Sequence, residues 1–230
     1  MNAANGGSPL PIYDQSFWHG LQETYRQIHT EPGYPEKNGT GFLVPYEIVH
    51  VPGKGRGVIA SAAIPEGAKV WHSSYAAYFA DEEEFMKFLS LLPIEAACDI
   101  LRWAYVYQES CDDVGVDADD GSCEYYVYCD LDESALINAV DVQAKEVAKL
   151  DFCEYVDAKF SANCTSEEMR LKYGAVEEAT FINAVQFITK GVELTMKYED
   201  FHYEGYIPWF DKLWNISEGR NADSCTSSII

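Results

Sequence analysis

Basic residues are scarce in this sequence: 16 Lys and Arg stand against 38 Asp and Glu, a formal charge of −22, and none at all occurs from Ala104 to Gln143. Binding to a phosphate backbone needs clustered Lys and Arg to displace counterions, so direct nucleic-acid binding is not expected. Long apolar runs are also missing. No stretch approaches the ~18 consecutive apolar residues of a membrane-spanning helix. The opening residues, MNAANGGSPLPI, carry neither the basic segment nor the apolar core of a secretion signal. The expectation is a soluble intracellular protein, nuclear or cytoplasmic, without membrane contact. The seven cysteines form no C-x-x-C pair and no Cys/His cluster. Structural zinc is therefore not expected, no metal site is assigned, and reduced thiols are expected. Three N-x-[ST] matches, at Asn38, Asn163 and Asn215, carry no weight without a secretion signal.

What is present suffices for one packed core, since 47% of the 230 residues are apolar and 14% aromatic. Trp18, Leu21, Tyr25 and Ile28 recur at three- and four-residue steps, which predicts a helix over Asp14 to Ile28. Pro, Gly and Asn crowd Glu31 to Gly41, a loop. Tyr46 to Val51, Gly57 to Ala60 and Ala68 to Ser73 read as short strands separated by PGKG and IPEG turns. Asp81 is placed to cap a helix with Phe85, Phe88, Leu89 and Leu92 as its stripe, and Pro93 opens a second helix with Ile94, Ala97, Ile100 and Leu101 on its buried side. Tyr125 to Asp130 reads as a strand. EATFINAVQFITKGVELTMKY reads as strand, turn at Thr189 to Gly191, and a second strand ending at Tyr198. The tetrapeptide INAV occurs at Ile137 and at Ile182 without longer self-similarity, a coincidence.

The acidic stretch gathers Asp112, Asp113, Asp117, Asp119, Asp120, Glu124, Asp130, Asp132 and Glu133. An EF-hand is excluded, because placing Gly121 at loop position six puts Val116 and Ala118 where ligands one and three belong. A basic partner fits this charge. An acidic surface that only confers solubility, or a chaperone-like binder of polycations, would show the same composition.

Two blocks separated by more than a hundred residues carry the chemistry. The first is GKGRGVIASAAIPEGAKVW, Gly53 to Trp71; the second is AVQFITKGVELTMKY, Ala184 to Tyr198. Their order resembles the opening and closing motifs of SET-domain protein-lysine methyltransferases. Gly55, Arg56 and Gly57 fill the glycine-bearing opening strand and Ile64 to Gly67 the following turn. Ile188, Gly191, Glu193, Leu194 and Tyr198 match "I-x-x-G-E-E-L-x-x-x-Y", with Val192 in place of the first Glu. Of the central "N-H-S-x-x-x-P-N" motif only Asn138 is present; Ala139 stands at the His, and no Pro-Asn follows. The cysteine-rich segment that follows the family's catalytic Tyr is replaced by FHYEGYIPWF.

The resemblance implies a mostly β fold with a helical insert (α+β): the SET-domain β-fold of several short sheets, plus an N-terminal helix. The implied organisation is a tail, helix and loop over 1–40, a SET domain over 41–212 with a helical and acidic insert at about 80–124, and a flexible tail over 213–230. It implies S-adenosylmethionine as cofactor, held by Lys54, Gly55, Arg56, Gly57, Asn138, Ala139, Tyr198 and Trp209, with Tyr206 and Phe210 as further aromatic candidates beside Trp209. Tyr198 is the implied catalytic residue, its hydroxyl a fixed dipole toward the reacting methyl and amine. Asp117, Asp119 and Asp120 are the implied contacts for a lysine-containing basic protein or peptide. Because the central motif is partial, a catalytically inactive SET-fold module that binds a basic protein is the alternative.

Overall fold

A computed structural model describes residues 10–29, 34–108, 125–139, 149–153, 181–196 and 207–218, with the main chain alone for 107–108, 151–153 and 214–218. It is mostly β with a helical insert, the class the sequence implies: several small sheets, largely antiparallel, with helices before, between and after the strands in the chain. Helix α1 spans Gln15–Ile28. Asp14 starts it by accepting hydrogen bonds from the Ser16 amide and hydroxyl and the Phe17 amide, which pull its carboxyl below the ordinary range. The expected face is real: Trp18, Leu21 and Tyr25 are all buried.

The described residues fall into two compact units. The first, within Met1–His19, Glu31–Tyr75 and Asp132–Asp200, carries the antiparallel hairpin of β1 (Tyr46–Val51) and β2 (Gly55–Ala60). It also holds a five-stranded sheet of β3 (Lys69–His72), β7 (Asn138–Ala139), β8 (Leu150–Cys153), β9 (Phe181–Ala184) and β10 (Thr195–Met196), in the order β3-β9-β8-β10-β7. The second unit, within Gly20–Thr30, Ala76–Leu131 and Phe201–Ile230, holds a three-stranded antiparallel sheet of β4 (Ala76–Phe79), β5 (Tyr105–Gln108) and β6 (Tyr125–Asp130), with β6 in the middle. Helices α2 (Glu82–Ser90), α3 (Ile94–Ile100) and α4 (Pro208–Glu218) belong to it. Asp81 caps α2 through the Glu84 amide at 2.8 Å, and Pro93 stands one residue before α3. Phe79, Phe85 and Phe88 form the unit's aromatic core with Tyr25, whose hydroxyl donates to the Tyr78 carbonyl.

Several boundaries differ from expectation, each for a local reason. Strand β2 starts at Gly55 rather than Gly57, because the tight turn with Gly53 (φ 79°) and Gly55 (φ 90°) lets pairing begin at Val51↔Gly55. The second strand of the closing block is broken: Ile188 and Glu193 make single bridges to Ile64 and Ile59, and only Thr195–Met196 is regular, running parallel to β7 and β8. Helix α4 enters the segment expected as a loose tail from residue 213, since the spacing of Phe210 and Leu213, both buried, gives it an apolar face. The residues of α1 from Gly20 fall in the second unit. The expectation of reduced thiols is corrected at Cys98, which is disulfide-bonded, whereas Cys129 is a buried free thiol. Sequence spacing detects only neighbouring cysteines, and disulfide partners are set by the fold.

The turn that delivers the chain to β7 is organised by Asp132, which is fully buried. Its carboxylate accepts from Trp71 Nε1 at 3.0 Å, the Gly41 amide at 2.6 Å, and the Ser134 amide at 3.0 Å and hydroxyl. It thereby caps the 3-10 turn Glu133–Leu136 and ties it to β3 and to the residues before β1. Gly41 must lack a side chain here, because a Cβ would collide with the His72 carbonyl oxygen and the Trp71 ring. The adjacent Glu133 is also buried. Burial raises its pKa above the ordinary 4.5, the Asp132 charge adds to the rise, and hydrogen bonds with its own amide, Tyr46 and Thr40 oppose it.

Two outcomes follow from this pair. Asp132→Asn exchanges an acceptor for a donor among groups that already donate, so denaturant unfolding should show a loss of about 2–4 kcal/mol. Glu133 has the opposite sign. A carboxyl whose folded pKa is raised binds more protons folded than unfolded, so it lowers stability as pH climbs from about 4.5 through its folded pKa. Glu133→Gln should therefore be more stable than the parent at pH 7, with the gap closing below pH ~4.5. Parallel stability–pH curves for the two proteins would refute the burial effect.

Candidate cofactor site

The opening and closing blocks lie side by side in the first unit. The Ala60 amide donates to the Val192 carbonyl at 2.9 Å, the Gly191 amide to the Ala60 carbonyl at 2.7 Å, and the Leu194 amide to the Val58 carbonyl at 2.8 Å. Ile64 and Ile188 exchange both of their backbone bonds, at 2.8 and 2.9 Å. Residues 191–194 thus extend β2 along its free edge. Thr195 then pairs with Asn138, which brings the remnant of the central motif to the same place.

The side chains of Val51, Asn138 and Glu193 meet at Gly57. Asn138 Nδ2 donates to the Arg56 carbonyl and to Glu193 Oε1, each at 2.8 Å, and Lys54 Nζ reaches Glu193 Oε2 at 3.1 Å. Glycine at 57 is required by close approach. An added Cβ would stand 2.7 Å from Asn138 Nδ2, 2.7 Å from Val51 Cγ2 and 2.9 Å from Glu193 Oε1. Gly55 is different: its φ is positive and open space faces the position of its missing Cβ, so its backbone can be approached from outside.

Of the residues assigned from sequence, Lys54, Gly55, Arg56, Gly57, Asn138 and Ala139 are brought together here. Ala139 sits in β7 opposite Met196. Arg56 contributes its carbonyl, while its guanidinium is buried, directed to the Pro11 carbonyl at 3.3 Å and over the Tyr13 ring at 5.4 Å. Trp209 lies in the second unit, its ring 5.9 Å from those of Phe85 and Phe210, and Phe210 is buried beside it. Tyr198, Tyr206, Asp117, Asp119 and Asp120 lie outside the described residues. Two residues of consequence carried no assigned role in the sequence reading. Glu193 matched the closing motif without a function, and Asp132 was grouped with the acidic run, although Asp-x-Ser before an apolar pair is a capping signal.

Among the described residues no group of His, Cys, Asp and Glu could hold a metal ion, and no helix is long and apolar enough to cross a membrane.

No family model and no curated protein matches the chain. Among solved structures it is similar to a Plasmodium falciparum candidate histone methyltransferase, at 12% identity and a TM-score of 0.36, over 73% of this chain and 99% of that one. It is similar to a Cryptosporidium SET8 protein at 17% identity and a TM-score of 0.37, over 70% and 59%. It is also similar to the Neurospora SET-domain protein DIM-5, a histone lysine methyltransferase, at 17% identity and a TM-score of 0.36, over 73% and 56%.

The crowding at Gly57 is directly testable. Gly57→Ala should cost about 1–3 kcal/mol by overpacking and should release Asn138 from Arg56 and Glu193. A neutral effect in denaturant unfolding would show that the three side chains are not packed as described.

Proposed function

We propose that the chain is an S-adenosylmethionine-dependent methyltransferase acting on the side-chain amine of a protein lysine. The observation that carries this reading is the pairing of residues 191–194 with β2, because it joins the two sequence blocks that resemble the family's opening and closing motifs. The residues present fit the cofactor's amino-acid end. Gly55 gives backbone access, Lys54, paired with Glu193, stands next to it in the chain, and Asn138 Oδ1 is the carboxamide atom not occupied by Arg56 or Glu193. S-adenosylmethionine, when bound, supplies an electrophilic methyl on a sulfonium.

The chain's remaining task is to hold a lysine neutral and aligned. With an ordinary pKa near 10.4, deprotonation at pH 7.4 costs about 4 kcal/mol. Desolvation in an apolar channel beside a cation lowers that cost without a histidine base. Tyr198 is the proposed catalytic residue, its hydroxyl a fixed dipole at the reacting atoms. The acidic run with Asp117, Asp119 and Asp120 is the proposed contact for a lysine-containing basic protein. Replacement of the motif His by Ala139 and the missing Pro-Asn favour one second reading, a module that has kept the fold and lost the cofactor.

Calorimetric titration with S-adenosylmethionine separates the two readings: micromolar binding supports the enzyme, and no binding at millimolar cofactor supports the module. In the enzyme, Tyr198→Phe should keep its melting temperature and cofactor affinity while kcat falls on the order of a hundredfold or more in single-turnover methylation of a lysine-rich protein mixture. Normal turnover by a destabilised Tyr198→Phe protein would reject the assignment. In the same assay KM should rise steeply with salt, because exposed charges are screened over about 8 Å at physiological ionic strength. Neutralising Asp117, Asp119 and Asp120 should flatten that dependence.

A further inference from the structure

The paired blocks account for Gly55, Gly57 and Asn138, yet they leave unexplained why both oxygens of Glu193 are engaged. Oε1 accepts from Asn138 Nδ2 and Oε2 pairs with Lys54. The Asn138 amide nitrogen has two hydrogens, and its two neighbours, the Arg56 carbonyl and Glu193 Oε1, are both acceptors. This combination fixes which way round the carboxamide lies. With the Arg56 carbonyl alone, the terminal torsion of Asn138, broad and nearly twofold, would be held by one bond instead of two. Lys54 on Oε2 restrains rotation of the carboxylate itself, and the missing Cβ at Gly57 makes room for the contact.

We propose that Glu193 is a positioning residue that sets the polarity of Asn138. By engaging Nδ2 it leaves Oδ1 as the face offered to a ligand, so the site presents an acceptor and selects a group that donates, such as an ammonium, over one that accepts. Only the choice of S-adenosylmethionine as ligand rests on the methyltransferase reading; the polarity device rests on the geometry around Gly57.

Two measurements on the full chain test it. In 15N-labelled protein the Asn138 side-chain amide, identified by its loss in Asn138→Ala, should show slow exchange with water in the parent and in Glu193→Gln, which keeps an acceptor at Oε1. In Glu193→Ala it should exchange faster. By calorimetry, Glu193→Ala should weaken S-adenosylmethionine binding on the order of tenfold or more, and Glu193→Gln should recover it to within about threefold. The recovery matters, because a role confined to the ion pair with Lys54 would make the Gln and Ala variants equally poor. Equal losses in the two variants, or the same amide exchange in all three proteins, would overturn the assignment. A parent protein with a protected Asn138 amide and no affinity for S-adenosylmethionine would instead reject the methyltransferase reading while upholding the role of Glu193.

Discussion

The buried carboxylate of Asp132 is the constraint on which the first unit depends. A lone charge in such a place would be prohibitively costly, and it is tolerated because an indole, two backbone amides and a hydroxyl all donate to it. These donors come from separate parts of the chain: Gly41 before β1, Trp71 in β3, and Ser134 in the turn that follows. One group therefore fixes where the 3-10 turn begins, and with it where Asn138 emerges six residues later. The arrangement is exacting in both directions. Gly41 has no room for a side chain because its amide must reach the carboxylate, and Glu133 is carried into a buried position where its own charge is unfavourable.

From that anchor the candidate site assembles with little freedom. Asn138 is held at its backbone by Thr195 and at its side chain by Arg56 and Glu193. Glu193 in turn follows from the pairing of residues 191–194 with β2. The opening block, the closing block and the remnant of the central motif are thus linked by hydrogen bonds that each need the others' register. Arg56 shows how the same strand serves two purposes. Its carbonyl orients Asn138, and its guanidinium, stacked on Tyr13, binds residues preceding α1 to the hairpin.

How far the sequence foretold this depends on whether a signal was local. Strand β1 and the capped start of α2 were readable because their causes lie within a few residues: alternation in YEIVHV, and an aspartate three positions before an amide it can bind. The short strands β4 and β5 were not foreseen. AAYF and YVYQ have no alternation of their own and become strands by flanking β6, the YYVYCD strand that was legible. The break in the closing block has the same origin: GVELTM looks like continuous strand, but Glu193 bridges β2 while Thr195 joins β7, so the chain changes partner within three residues. The disulfide at Cys98 and the burial of Asp132 are equally non-local.

The site's chemistry shows the same division between local and non-local information. Glycines 55 and 57 look alike in GKGRG, yet one needs its missing side chain for a left-handed turn and the other for three converging side chains. Only the second case makes the residue part of the site's electrostatics. There a lysine, a carboxylate and a carboxamide lie within successive hydrogen-bond distances. Such a chain places the carboxylate between a cation and a neutral amide whose orientation it helps to fix. It is a connected polar network, so altering one end is felt at the other. That coupling, rather than any single motif residue, links the hairpin to the closing block.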